Sequence, residues 1–236
     1  MFPRKLTRSI VVGAAAIAVA GGSYGIVSAT SGSGSTAAAS TAPAAGSSSG
    51  GGGSNARSGP AAGGSSGTVS SLSTSGFTIT TSAGQKVTVK ETSSTTYQNG
   101  TSPAPASAIT KGQPVLVLGT TSSTTITATQ VTVQPAGSEG SAASSAAGVV
   151  PFQQGAPATS KTVGQVPADY TQGSGTLASG TAANKATEAA LAAYPGGVVD
   201  RVVELGNGDY EVHYIGVNWP HHIFVNQDFK VIGAND

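Results

Sequence analysis

Cysteine is absent from this chain, which rules out disulfides, thiolate metal sites, a catalytic thiol and a lipid-attachment cysteine behind an export signal. Charged residues make up only 9% and aromatic residues only 5% of the sequence. Large side chains that could offset the entropy of ordering the whole chain are therefore too few for one big domain. Small packed modules on flexible tethers fit this composition better. The net charge of +1 is unevenly placed: the start is basic, residues 67–134 slightly basic and residues 184–236 acidic. No basic patch points to nucleic acid.

What the chain does contain begins with Arg4, Lys5 and Arg8, followed by an apolar run from Ile10 to Val27 and the small residues Ser28 and Ala29. Basic residues followed by an apolar run form the pattern of an export signal. Uncleaved, the run would span about 27 Å as a helix against a hydrocarbon core of about 30 Å, so residues 1–29 read as a signal peptide or a signal anchor. Both readings export the rest of the chain, to be secreted or held at the outer face of the cytoplasmic membrane. Residues 30–66 are rich in Ser, Gly and Ala and read as a disordered linker.

From Gly67 to Pro135 short apolar alternations are separated by turn residues, as in half-buried antiparallel strands. Val69 and Leu72, Phe77 and Ile79, Val87 and Val89, and Thr95 to Tyr97 mark successive strands. The continuous Val115-Leu116-Val117-Leu118 predicts a strand buried on both faces, and Thr125 to Val133 closes a small all-β barrel or sandwich. Gly67-Thr68-Val69, Phe77-Thr78-Ile79, Val87-Thr88-Val89, Lys111-Gly112-Gln113-Pro114-Val115 and Ala128 to Val131 resemble a domain family of unknown function from exported bacterial proteins. That resemblance implies an OB-like barrel. Residues 136–180 return to low complexity and read as a second disordered linker carrying the isolated apolar residues Phe152, Val163, Val166 and Tyr170.

Residues 181–236 hold half of the aromatic side chains and most of the acidic ones. Thr181 or Asn184 can cap a helix of good helix formers from Lys185 to Tyr194, with Thr187, Ala190, Leu191 and Tyr194 on one stripe, and Pro195-Gly196-Gly197 stops it. Val198 to Leu205, the Gly206-Asn207-Gly208-Asp209 turn, Tyr210 to Ile215, His221 to Val225 and Phe229 to Ile232 then read as a sheet of three or four antiparallel strands. The expected fold is an α+β module at the carboxyl end plus the small barrel, joined by disordered linkers. Ala189 to Gly197, Val202-Val203-Glu204-Leu205, Tyr210-Glu211-Val212-His213 and Phe229-Lys230-Val231 resemble a PepSY domain of exported actinobacterial proteins. Asn218-Trp219-Pro220 departs from the short Asp-Gly turn usual there. The resemblance implies a non-enzymatic module that binds a peptide or protein of the cell envelope, the restraint of a peptidase among its roles. It supplies no catalytic residues.

Gly-x-Ser-x-Gly occurs around Ser23 and Ser65, both outside any strand-to-helix turn that the pattern predicts, so neither reads as a nucleophile. Alternation sends Glu211 and His213 to the sheet face away from the helix, and only one of the adjacent His221 and His222 can join them. That falls short of a committed metal site. Trp219 beside Pro220 reads either as an exposed recognition anchor or as a cover over the end of the sheet. The residues expected to meet a partner are Trp219, Pro220, His213, Glu211 and His222, with no catalytic residue, cofactor or metal. The expectation is an exported, envelope-associated, non-catalytic binding protein. The alternative is a structural or cell-wall ligand-binding surface protein acting through the barrel.

Overall fold

The computed structural model describes residues 59–136 and 162–236. Its architecture corrects the expected α+β module on flexible linkers. Strand accounts for 49% of this region and helix for 11%, with a single α-helix and all strands in one 13-stranded sheet.

The long strand β1 (Ala61–Ser73) is common to the two halves of that sheet. It runs antiparallel to β6 (Pro114–Ser122) from Ala61↔Thr121 to Thr68↔Pro114, and its second half pairs with β2 (Gly76–Thr80). β2 pairs with β3 (Lys86–Lys90), β3 lies parallel to β7 (Thr125–Val133), and β7 returns antiparallel to β6. Five strands thus close a barrel. Alternation builds it: Val87 and Val89 point inward while Lys86, Thr88 and Lys90 are exposed. The short β4 (Thr96–Asn99) lies parallel to β7 and carries β5 (Ser102–Pro103) at the edge.

Beyond the barrel, β10 (Val198–Glu204), β11 (Tyr210–Ile215), β12 (His222–Val225) and β13 (Val231–Asn235) form an antiparallel meander. The short β8 (Thr162–Gly164) extends it beside β13, and β9 (Thr176–Leu177) pairs with the end of β10. β10 joins β1 at Gly64↔Val199 and Ser65↔Val198. The stretch expected to be spacer up to Ser66 therefore supplies the seam. Ser65 is fully buried and its hydroxyl donates to the Gly197 carbonyl at 3.1 Å, so the Gly-x-Ser-x-Gly match here is a structural serine.

The helix α1 (Gly180–Ala193) lies against the meander and the seam. Ala183, Ala186 and Ala190 keep its buried face thin, and Leu191 and Tyr194 fill the space beneath it. β6 explains the doubly buried run: Val115 and Val117 belong to the barrel core, whereas Leu116 and Leu118 join the core under α1. Tyr214 hydroxyl donates to the Tyr194 carbonyl at 2.6 Å and ties the helix end to β11; burial pushes the Tyr214 phenol well above its ordinary value. No helix among the described residues is long and apolar enough to cross a membrane. The export segment, residues 30–58 and residues 137–161 lie outside the described residues.

Candidate functional site

The meander has two unlike faces. Val202, Val212, Tyr214, Ile223 and Val225 face α1 and form a continuous apolar core. The opposite face carries Arg201, Val203, Glu211, His213, His222 and Phe224.

Strand register brings the histidines together. His213 and His222 are direct cross-strand partners, and their rings meet edge to face with centroids 5.2 Å apart. Nδ1 of His222 is hydrogen-bonded to Glu211 Oε1 at 2.7 Å, and Nδ1 of His213 to Asp200 Oδ1 at 2.5 Å. His221 points elsewhere, with Nε2 bonded to the Val217 carbonyl at 3.0 Å. All four partners are largely buried; His222 is only 3% and Glu211 only 4% exposed. Each imidazole has its own carboxylate, and among the described residues no three His, Cys, Asp or Glu side chains converge on a metal position.

Asp200 is the member the sequence did not disclose. The register slips between Val199 and Arg201, so β10 bulges and sets both Asp200 and Arg201 beside His213. Arg201 Nη2 lies 3.0 Å from Asp200 Oδ2. Burial alone would raise the Asp200 carboxyl, but the hydrogen bond and charge of His213, together with Arg201, outweigh it and hold the group below its ordinary value. A lowered carboxylate stabilises the fold above its unfolded pKa, about 3.9, and that contribution is lost as pH falls through the folded value. Replacing Asp200 with Asn is therefore expected to cost about 1–3 kcal/mol at neutral pH. Urea midpoints of the two proteins should converge as pH falls below about 4; a gap that persists in acid would mean that the ionised carboxylate is not its source.

A strap covers this face. Residues 165–175 cross from the end of β8 to the start of β9, with Pro167 buried and Tyr170 half-buried. The Tyr170 ring packs edge-on against Phe224 at 4.7 Å and lies 5.7 Å from His222. Burial, and then the charge of Glu211, push its phenol upward. Val163 and Tyr170, expected to be stray residues in a linker, thus pack on the meander, and Val166, expected to be the same, is half-buried. Between strap and sheet, Gln172, Ser174, Arg201, Glu211 and His213 line a cleft of about 10 Å³, room for about one water. A second groove of about 620 Å³ lies where β1, β6 and the start of α1 meet, with Ala62, Thr120, Leu177 and Asn184 in its wall and no ionisable side chain.

The expected partner-binding set is split by the fold. Glu211, His213 and His222 form one cluster. Trp219 is fully buried on the α1 side, its ring edge-on to Tyr194 at 5.8 Å, and Pro220 is buried beside it. Trp219 is core, so the reading of this pair as an exposed anchor is corrected. The core reading was already open in the sequence, since a half-apolar indole at the end of a sheet packs as readily as it protrudes. No family model matches the chain, and no curated protein or solved structure matches it either.

Proposed function

We propose that this is an exported, envelope-associated, non-catalytic protein that binds a peptide or protein partner on the strap-covered face of its meander. The observation that carries the reading is the polar layer there: two histidine–carboxylate pairs and an arginine held in fixed geometry on a sheet that needs none of them for its apolar core. Preorganised polar groups of this kind give orientation and specificity to a docked chain. The likeness of residues 181–236 to PepSY domains and the export pattern at the start of the chain point the same way, with a peptidase among the partners it implies.

The barrel supports the alternative less well. Its outer face on β3 offers Lys86, Thr88 and Lys90 without an aromatic platform, and the nearby Tyr97 hydroxyl is tied to Glu91 at 2.8 Å. Burial, and then that hydrogen bond, push the Tyr97 phenol up to about 12. Sugars and single strands are usually held by stacking on free rings.

A photo-crosslinking residue at the exposed Asn207, which borders the strap on the β10–β11 turn, and in a second protein at Lys86, distinguishes the readings in envelope extracts. An adduct at position 207 alone is expected. An adduct at 86 alone would favour recognition by the barrel, and none at either would sink partner binding.

A further inference from the structure

We propose that the strap 165–175 is an internal pseudo-ligand, which occupies the site of an extended, weakly charged partner peptide and places Tyr170 where the partner's own aromatic side chain would sit. This rests on the partner-binding reading of the same face and names the partner's chemistry.

The two faces of the meander show why this cover can leave and the other cannot. On the α1 side, helix and sheet share one apolar core, and separation would strip Leu191, Tyr194, Trp219 and Ile223 of their packing. Under the strap the polar bonds close within the sheet itself: Asp200 with His213 between β10 and β11, Glu211 with His222 between β11 and β12. Lifting the strap removes neither partner from either pair. A surface that keeps its own hydrogen bonds when uncovered avoids the penalty of orphaned buried groups.

The strap is also built as a separate piece. Its turns are internal, with Tyr170 N–H donating to the Pro167 carbonyl at 3.0 Å and Ser174 N–H to the Thr171 carbonyl at 2.8 Å. Its first residue, Gln165, donates its N–H to the Ile232 carbonyl at 2.8 Å, and no strand is formed from there to β9. Gly164, just before it, and Gly175, its last residue, have φ of 69° and 87°, a conformation open to glycine, and both lie close to sheet backbone at Ile232 and Glu204. Side-chain ties to the sheet include the Tyr170 ring on Phe224 and the Asn207 N–H donated to Asp169 Oδ2 at 2.9 Å. Phe224 beneath Tyr170 sets the chemistry of the slot: an aromatic ring, edge-on, beside an imidazole. Tethered at both ends, the strap acts at an effective concentration on the order of millimolar, so weak ligands are excluded and a partner must bind well below that to displace it.

Hydrogen exchange on the full chain reads the first consequence. Strap amides 168–174 are expected to exchange by a local opening, at least about 100-fold faster than the ladder amides of β11 and β12. Exchange of both sets at one common rate would overturn the proposal. The second measurement adds a capped synthetic peptide of sequence 165–175 to the full chain and to its Tyr170→Ala variant. The variant is expected to bind the peptide at least about tenfold more tightly than the parent chain; equal binding, or none to a folded variant, would also overturn it. If position 207 crosslinks a partner while the strap opens only on global unfolding, the face binds its partner and the strap is a fixed wall. If the strap opens and the peptide binds but no partner is crosslinked, the strap is displaceable and the partner-binding reading fails.

Discussion

Adding one methyl group at Gly63 is expected to destabilise the fold by about 3 kcal/mol or more, near the upper end of what single overpacking changes do. A Cβ there would land on the Val199 carbonyl, and one at the neighbouring Gly64 on the Val117 carbonyl. Both obstacles are backbone, so no rotamer change relieves them. β1 would have to draw away from β10 at the two residue pairs that join barrel and meander. The appropriate control is Gly112→Ala, where φ is 88° but nothing lies within 4 Å of the added atom. Only the left-handed conformation opposes that change, at about 1–2 kcal/mol. Urea midpoints of the two variants decide the matter: an equal loss in both would mean that the seam yields and that close backbone approach is not what Gly63 provides.

That glycine also shows where reading the chain succeeds and where it stops. Elements signalled by side chains were legible: the alternation of Val87 and Val89, the doubly apolar Val115 to Leu118, the helix stripe of Thr187, Ala190 and Leu191, and the Gly206 to Asp209 turn between β10 and β11. So was the meeting of His213 with only one of two adjacent histidines, which follows from a period of two. Gly63 to Gly67 failed because a stretch chosen for the absence of side chains has the composition of a spacer. Here the absence is what lets three backbones approach. The strap failed for a related reason: Pro167 and Tyr170 are too few to make a pattern, and their packing depends on a sheet that comes later in the chain. Asp200 reached the site through a bulge, and a one-residue slip in register has no signature in a run such as Val198-Val199-Asp200-Arg201. Of these three features, the glycine-lined seam turns the expected pair of tethered modules into one sheet.

Trp219→Ala carries the other large effect, an expected loss of about 3–5 kcal/mol, the usual range for emptying a buried aromatic site. The indole is fully buried, it meets Tyr194 edge-on, and the Tyr194 carbonyl in turn holds the Tyr214 hydroxyl. Truncation therefore loosens the point where the end of α1, β11 and the loop before β12 converge. Most small domains are worth only about 5–15 kcal/mol in total, so this loss is a large fraction of the whole. Leu177→Ala, at an exposed leucine, should change stability by less than about 0.5 kcal/mol. Had Trp219 been a surface anchor, its truncation would resemble that of Leu177, and a small loss would return it to that role. The same core makes a second demand. Leu116 and Leu118 of the barrel strand β6 pack in the cluster that contains Trp219, so the barrel cannot keep its outer wall once the meander unfolds. Fluorescence of this lone tryptophan and far-ultraviolet circular dichroism, which is dominated by strands from both halves, should report one coincident transition in urea. Two separated transitions would mean that the seam at Gly64 and Ser65 joins the strands without joining their stabilities.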